Sequence, residues 1–231
     1  MLALFTVVLI SYLIGSIPSS LWMGKIFYGV DIRQHGSGNA GATNTFRILG
    51  WKAGSIVLLI DFGKGLLCTL VISQLAYSIG DGPVSFYTNW DEGAKLLILC
   101  GVAAVVGHMF PLYAKFSGGK GAATACGMLY GIEPVSISIT LAIFLIIMFT
   151  TRYVSLGSII ACAVYPLSQL VLRYWLGWDI DGSIIIFSTV IALSIIVKHK
   201  SNIKRLLEGS ENRIKSFKPS SGRINQEKSA S

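Results

Sequence analysis

Thirteen residues near the N-terminus, His35-Gly-Ser-Gly-Asn-Ala-Gly-Ala-Thr-Asn-Thr-Phe-Arg47, carry the chain's clearest capacity to hold a phosphate. Gly36, Gly38 and Gly41 permit positive φ and close backbone approach. The N–H groups of such a loop form a concave anion site, above all where a helix begins. Ser37, Asn39, Thr43 and Asn44 add polar side chains, and Arg47 adds a planar fork that matches phosphate oxygens. A glycine-rich connector with an arginine anchored at lipid headgroups is the plainer reading, but a connector has no use for so many donors. Gly36-x4-Gly41-Ala-Thr43 also echoes a P-loop, yet alanine stands where lysine is required and no apolar strand precedes it.

A second anion-binding candidate is Gly118-Gly119-Lys120-Gly121, with Thr124 behind it. The glycines free the backbone, a helix is expected just after, and Lys120 supplies a point charge. A lysine snorkelling from a tight turn is the alternative. The third cluster runs from His199 through Asn202 and Arg205 to Glu211. His199 and Asn202 stand three apart, so on a helix they share a face and offer an imidazole and an amide to a substrate's hydroxyls. Lys200, Lys204 and Arg205 suit anionic headgroups, and Glu211 suits orienting a basic group of the site. Ser155, beside Arg152, is a weaker substrate contact.

Several chemistries are excluded. There is no His-x4-Asp acyltransferase box, because Ala40, Tyr113 and Lys204 stand five residues beyond His35, His108 and His199. No His-Glu-x-x-His pattern or carboxylate cluster suggests a metal, and no Gly-x-Ser-x-Gly elbow suggests a serine hydrolase. The four cysteines (Cys68, Cys100, Cys126, Cys162) lie singly in apolar segments and read as small core residues. What remains is a metal-free, cofactor-free site with donors for more than one phosphate.

The elements that must position these residues are membrane spans. The chain has 231 residues, 53% hydrophobic and 13% charged, with a mean hydropathy of +0.66. That composition defines an all-α polytopic membrane protein. Apolar runs at 2–24, 53–79, 95–114, 121–131, 135–150, 154–176 and 183–198 give seven spans. The run 121–131 is short for a bilayer, and Glu133-Pro134 ends it. No cleavable signal is evident, so the first run stays as a helix. Residues 1–213 form one membrane domain, and 214–231 a basic, disordered cytoplasmic tail.

Counting seven crossings puts the N-terminus outside and the C-terminus in the cytoplasm. Lys25, Arg33, Arg47, Lys52, Lys115, Lys120, Arg152 and the tail then face the cytoplasm. Asp81, Asp91, Glu92, Glu133, Asp179 and Asp181 face outward, with Lys95 and Arg173 as the outer basic residues. Six crossings would scatter the basic residues over both faces, and the positive-inside rule selects seven. The +8 net charge thus points to a membrane and not to nucleic acid. The same arrangement gathers 36–47, 117–124 and 198–213 on one face. Within the second span, Asp61 and Lys64 at i,i+3 read as a mutually neutralising pair in preference to a proton or ion relay. His108 reads as a hydrogen-bonded structural residue.

With these residues placed, the chain resembles the membrane-integral, PlsY-type family of bacterial acyl-phosphate:glycerol-3-phosphate acyltransferases. Gly-Ser-Gly-Asn-x-Gly-Ala-Thr-Asn-x-x-Arg, Gly-Gly-Lys-Gly-x-Ala-Thr and His-x-x-Asn-Ile-x-Arg-Leu-x-x-Gly-x-Glu occur in order, within a resemblance running from Gly15 to Glu211. Ala40, Ala122 and Ser117 depart from the family's commoner residues.

The resemblance implies transfer of a fatty acyl group from acyl phosphate to the 1-hydroxyl of glycerol 3-phosphate, the first acylation of phospholipid synthesis. It implies the bacterial inner membrane, with lipids and the enzyme that makes acyl phosphate as partners, and leaves the oligomeric state open. Ser37, Arg47, Lys120, His199 and Asn202 would be the catalytic set. Gly36, Gly38, Asn39, Gly41, Thr43, Asn44, Gly118, Gly119, Thr124, Ser155 and Glu211 would bind substrate. Either His199 or a substrate phosphate would take the hydroxyl proton. A transporter for a phosphorylated metabolite is the competing class, but the spans show no internal repeat.

Overall fold

A bilayer offers no water to backbone groups, so a spanning segment must bond its own amides and carbonyls as a helix. The structure, a computed structural model, describes residues 2–79 and 92–214, and among them every regular element is helical. Asp81, Asp91, most of the 80–93 loop and nearly all of the 214–231 tail lie outside the described residues.

The first apolar run forms α1 (Leu2–Gly15), breaks at Ser16–Pro18 where proline withdraws a donor, and resumes as α2 (Ser19–Trp22) and a π turn. The segment expected to be an irregular polar loop contains a helix of its own, α3 (Ala42–Leu49). Its apolar side sits in a cluster with Leu21, Ile32 and Ala53. Then come α4 (Trp51–Leu67), a π turn, α5 (Leu75–Ile79) and α6 (Glu92–Met109). The chain continues through α7 (Ala122–Ile132), α8 (Pro134–Thr151), α9 (Val154–Tyr174), α10 (Gly182–Lys198) and α11 (Lys200–Leu207).

Among the described residues, five runs are long and apolar enough to cross a membrane: Leu2–Phe27, Trp51–Ile79, Gly93–Ala114, Pro134–Thr151 and Val154–Tyr174. The pair α10 and α11, bent by 58°, makes a sixth if taken together. The short α7 rises only ~16 Å at ~1.5 Å per residue.

Local chemistry sets these boundaries. Glu133 caps α8 by accepting from Val135 N (3.1 Å) and Ser136 N (2.7 Å), with Pro134 in the first turn. Asp181 caps α10 by accepting from Ser183 N at 2.7 Å.

Where α4 crosses α7, backbones touch. A Cβ on Gly65 would stand 2.0 Å from the Thr124 carbonyl oxygen, and one on Gly127 equally close to that of Phe62. Small residues at such a crossing give the close packing that holds membrane helices together. Below it, Lys64 Nζ lies 2.9 Å from Asp61 Oδ1 and donates to Ile17 O at 3.1 Å. Ser19 Oγ donates to the same Asp61 oxygen at 2.6 Å, and His108 Nδ1 lies 3.4 Å from it. The expected neutralising pair therefore forms, and it clamps α4 to the break between α1 and α2 and to α6.

Candidate active site

Asn44 organises the first loop. Its Nδ2 donates to Ile32 O (3.0 Å) and His35 O (2.9 Å), and its Oδ1 accepts from Ser37 N (3.0 Å) and from Arg47 Nη1 at a longer 3.5 Å. Both ends of the amide are thereby engaged, so Asn44 shapes the loop while also lining the cavity described below. Gly36, at φ +62°, presses on this clamp: a Cβ there would stand 2.4 Å from Asn44 Oδ1. Gly36 and Gly38 form the turn without lining that cavity, whereas Ser37, Asn39, Gly41, Thr43, Asn44 and Arg47 line it.

The second loop is held against α6 and the first loop. Gly119 N donates to His108 O at 3.2 Å. A Cβ on Gly119 would stand 2.2 Å from His108 Nε2 and 2.6 Å from Ala40 O. Gly118 and Gly119 are thus spacers, and Thr124 is fully buried at the α4–α7 crossing; none of the three lines the cavity. Lys120, Gly121, Ala122 and Ala123 do. Two helix N-termini, those of α3 and α7, therefore open on the same space, each with positive dipole ends and unshared N–H groups suited to an anion.

The third cluster closes the ring. Lys120 Nζ donates to Asn202 Oδ1. Asn202 Nδ2 donates to Glu211 Oε1 at 2.9 Å, Ser155 Oγ donates to that oxygen at 3.1 Å, and Arg205 Nε donates to Glu211 Oε2 at 2.8 Å. Arg205, expected at the headgroups, is instead the ion-pair partner of Glu211. Glu211, expected to orient a basic group of the site and to contact substrate, does pair with Arg205; its other oxygen orients Asn202, and the residue lines the cavity. The chain beyond α11 folds back over the α8–α9 turn, with Ile214 N donating to Arg152 O at 2.8 Å.

His199 occupies the elbow between α10 and α11 and is 5% exposed. Its Nδ1 lies 2.8 Å from Ile195 O. A carbonyl only accepts, so Nδ1 carries the proton and Nε2 bears the lone pair of the neutral ring. Burial lowers the imidazole's pKa, opposed by the Ile195 bond and reinforced by Lys120. Burial, then the Arg205 charge, brings Lys120 down to about 8, with Glu211 opposing. Burial also lowers Arg47, with Glu211 opposing.

These groups share one cavity of about 270 Å³. Its polar mouth holds Ser37, Arg47, Lys120, His199 and Asn202, and it continues between α7, α8, α9 and α10 past Leu141, Phe144 and Cys162 to Tyr165. Asp61 and His108 also line it, which their reading as structural groups did not anticipate. The signal available was two ionisable residues placed within reach of the Gly-Gly-Lys turn. Among the described residues, no three His, Cys, Asp or Glu side chains are grouped to hold a metal.

A helical membrane protein whose cationic, amide-rich pocket opens directly into an apolar cavity is built to handle an anionic group and a hydrocarbon chain together. The family model for glycerol-3-phosphate acyltransferase matches residues 5–209. Glycerol-3-phosphate acyltransferases of Salinibacter ruber (46% identical over 97% of this chain and 98% of theirs) and Chlorobaculum tepidum (42%, over 93% and 97%) are similar along nearly their full length. So are two crystal structures of PlsY (YgiH), an integral membrane glycerol 3-phosphate acyltransferase. Its glycerol 3-phosphate form gives a TM-score of 0.75 and its lysophosphatidic acid form 0.74, each at 36% identity over 93% of this chain and 96% of that one. The chain belongs to the glycerol-3-phosphate acyltransferase family, and is an acyltransferase of phospholipid synthesis.

Proposed function

We propose that the enzyme transfers a fatty acyl group from acyl phosphate to the 1-hydroxyl of glycerol 3-phosphate, giving lysophosphatidate and inorganic phosphate. The observation that carries this reading is the single cavity joining a mouth with donors for two phosphates to an apolar interior. The acyl phosphate's leaving group lies against the N-terminus of α3, Ser37 and Arg47. Glycerol 3-phosphate is held by Lys120, His199 and Asn202, with Ser155, Arg205 and Glu211 fixing them from behind. The acyl chain fills the space between α7, α8, α9 and α10.

The hydroxyl oxygen attacks the carbonyl carbon, the carbon–oxygen bond to phosphate breaks, and the phosphate departs. Acyl phosphate is already activated, so positioning and charge neutralisation supply most of the acceleration. His199 Nε2 accepts the hydroxyl's hydrogen bond and aims the oxygen. Its burial and its cationic neighbour Lys120 disfavour imidazolium, so the departing phosphate takes the proton. No cofactor is needed.

The site faces the cytoplasm, with α7 and the α10 segment completing seven crossings and the N-terminus outside. Lys25, Arg33, Lys52, Lys115 and Arg152 lie at the site's end of the helices, and Glu133, Asp179 and Asp181 at the other. In a bacterium this is the inner membrane, where the enzyme that makes acyl phosphate delivers its product. Residues 1–213 act as one domain, followed by the basic tail.

The test is purified protein with acyl phosphate and labelled glycerol 3-phosphate, without metal or ATP. Labelled lysophosphatidate and inorganic phosphate should appear in equal amounts. Transfer from acyl-CoA but not from acyl phosphate would overturn the proposed donor.

A further inference from the structure

The apolar part of the cavity has a floor, and four helices agree on its level. The deepest lining residue is Leu129 on α7, Ile137 on α8, Tyr165 on α9 and Ser188 on α10. The first three belong to one packed core cluster that closes the space beyond them. Tyr165 is the bulkiest of the four and only 2% exposed, so its ring is fixed by packing and not free to swing aside.

Measured along the helices, Ser155 to Tyr165 on α9 and His199 back to Ser188 on α10 each rise about 15–17 Å at ~1.5 Å per residue. An extended hydrocarbon advances roughly 1.3 Å per carbon, given C–C bonds of ~1.5 Å in a zigzag. The cavity therefore accommodates about a dozen carbons between the reacting carbonyl and the floor. The floor is also polar where a chain's methyl end would arrive. Tyr165 and Ser188 (1% exposed) bring hydroxyls to it that face each other and have no other protein partner among the described residues. A chain pushed past this level would have to displace a packed ring or strand those hydroxyls against methylenes, and both are costly.

We propose that Tyr165 is a specificity-determining residue: its ring is the end-stop that sets which acyl-chain lengths this enzyme uses. The inference rests on the reading of the cavity as the acyl-chain site.

The experiment compares kcat/KM for a series of acyl phosphates from ten to eighteen carbons in the unaltered protein and three variants. Tyr165→Ala opens the floor and should move the optimum about two to four carbons longer, the space a tyrosine ring leaves, without changing KM for glycerol 3-phosphate. Tyr165→Phe keeps the ring and should keep the unaltered profile. Ala161→Phe fills the same cavity about one turn nearer the mouth and should move the optimum shorter.

An unchanged profile in Tyr165→Ala, or in Tyr165→Leu where the alanine variant does not fold, overturns the proposal. So does a Tyr165→Phe profile shifted like that of alanine, which would assign selection to the hydroxyl. If the unaltered protein ignores acyl phosphates and uses another acyl donor, the proposed donor fails, and the same length series on that donor still reads the floor.

Discussion

Glu211 lines the cavity with both carboxylate oxygens already engaged by protein, and its replacement by glutamine should be among the most damaging isosteric changes in the protein. Three donors converge on its two oxygens: Asn202 Nδ2 at 2.9 Å, Ser155 Oγ at 3.1 Å and Arg205 Nε at 2.8 Å. Its side chain is only 5% exposed, so water cannot substitute. A glutamine amide offers one acceptor and one donor. In either orientation its NH2 meets Arg205 or Asn202, donor against donor.

Losing one charge-assisted bond costs about 1.5–3 kcal/mol, or roughly 10- to 150-fold at ~1.4 kcal/mol per decade. The loss reaches the substrate through Asn202. Without an acceptor behind it, that amide no longer has a reason to present its oxygen to Lys120. Steady-state kinetics on Glu211→Gln should therefore show kcat/KM for glycerol 3-phosphate falling by that factor, mostly through KM. Glu211→Asp, which keeps the charge, should recover part of it. A folded Glu211→Gln enzyme with an unaltered KM would refute the view that Glu211 sets the orientation of Asn202.

Arg47→Lys keeps the charge but loses the fork, and should lower kcat/KM for acyl phosphate about 10- to 150-fold, the same ~1.5–3 kcal/mol range; near-normal kinetics would make Arg47 an interfacial anchor. His199→Gln should raise KM for glycerol 3-phosphate and leave the acidic limb of the pH–rate profile in place. A ~10²- to 10⁴-fold loss of saturating turnover with KM unchanged would make His199 the general base. With Lys120 near 8 in the free enzyme, kcat/KM for glycerol 3-phosphate should fall as pH rises through about 8, because the ammonium loses its proton. Lys120→Arg should remove that limb, whatever its effect on rate. Single cysteines at Lys52 and Asp181, in a cysteine-free background in intact cells, should react with an impermeant reagent only at 181.

The spans were legible because a bilayer imposes length and composition on every crossing segment, and the short α7 because Gly121 and Glu133-Pro134 mark its ends. The convergence of the three polar clusters followed from counting crossings. Individual roles inside them did not. Asn44 and Asn39 are the same residue type in the same loop and both line the cavity, and only the fold shows that the amide of Asn44 is also engaged on both sides by backbone. Thr124 reads as a hydroxyl after a Gly-Gly-Lys turn, but the glycines of α4 and α7 draw it into their crossing. The elbow at His199 carries no proline or glycine to announce it. A basic partner for Glu211 was legible, but that it is Arg205 depends on the chain turning back after Gly209 (φ +68°), a local geometry that a charge pattern does not reveal.

That return of the chain has a consequence for how the enzyme comes into being. The mouth is built from residues 36–47 at one end of the sequence and 199–211 at the other, joined through Lys120 in the middle. With the mouth as the proposed active site, a ribosome that has released the chain only as far as α10 has made nearly all of the fold and, on that reading, none of the activity. Asn202 gains its orientation only when Glu211 emerges and folds under Arg205 and Ser155. On that assignment, fragments and stalled chains that lack Glu211 should be silent, and catalysis should report that the 199–211 segment has been made and has folded back.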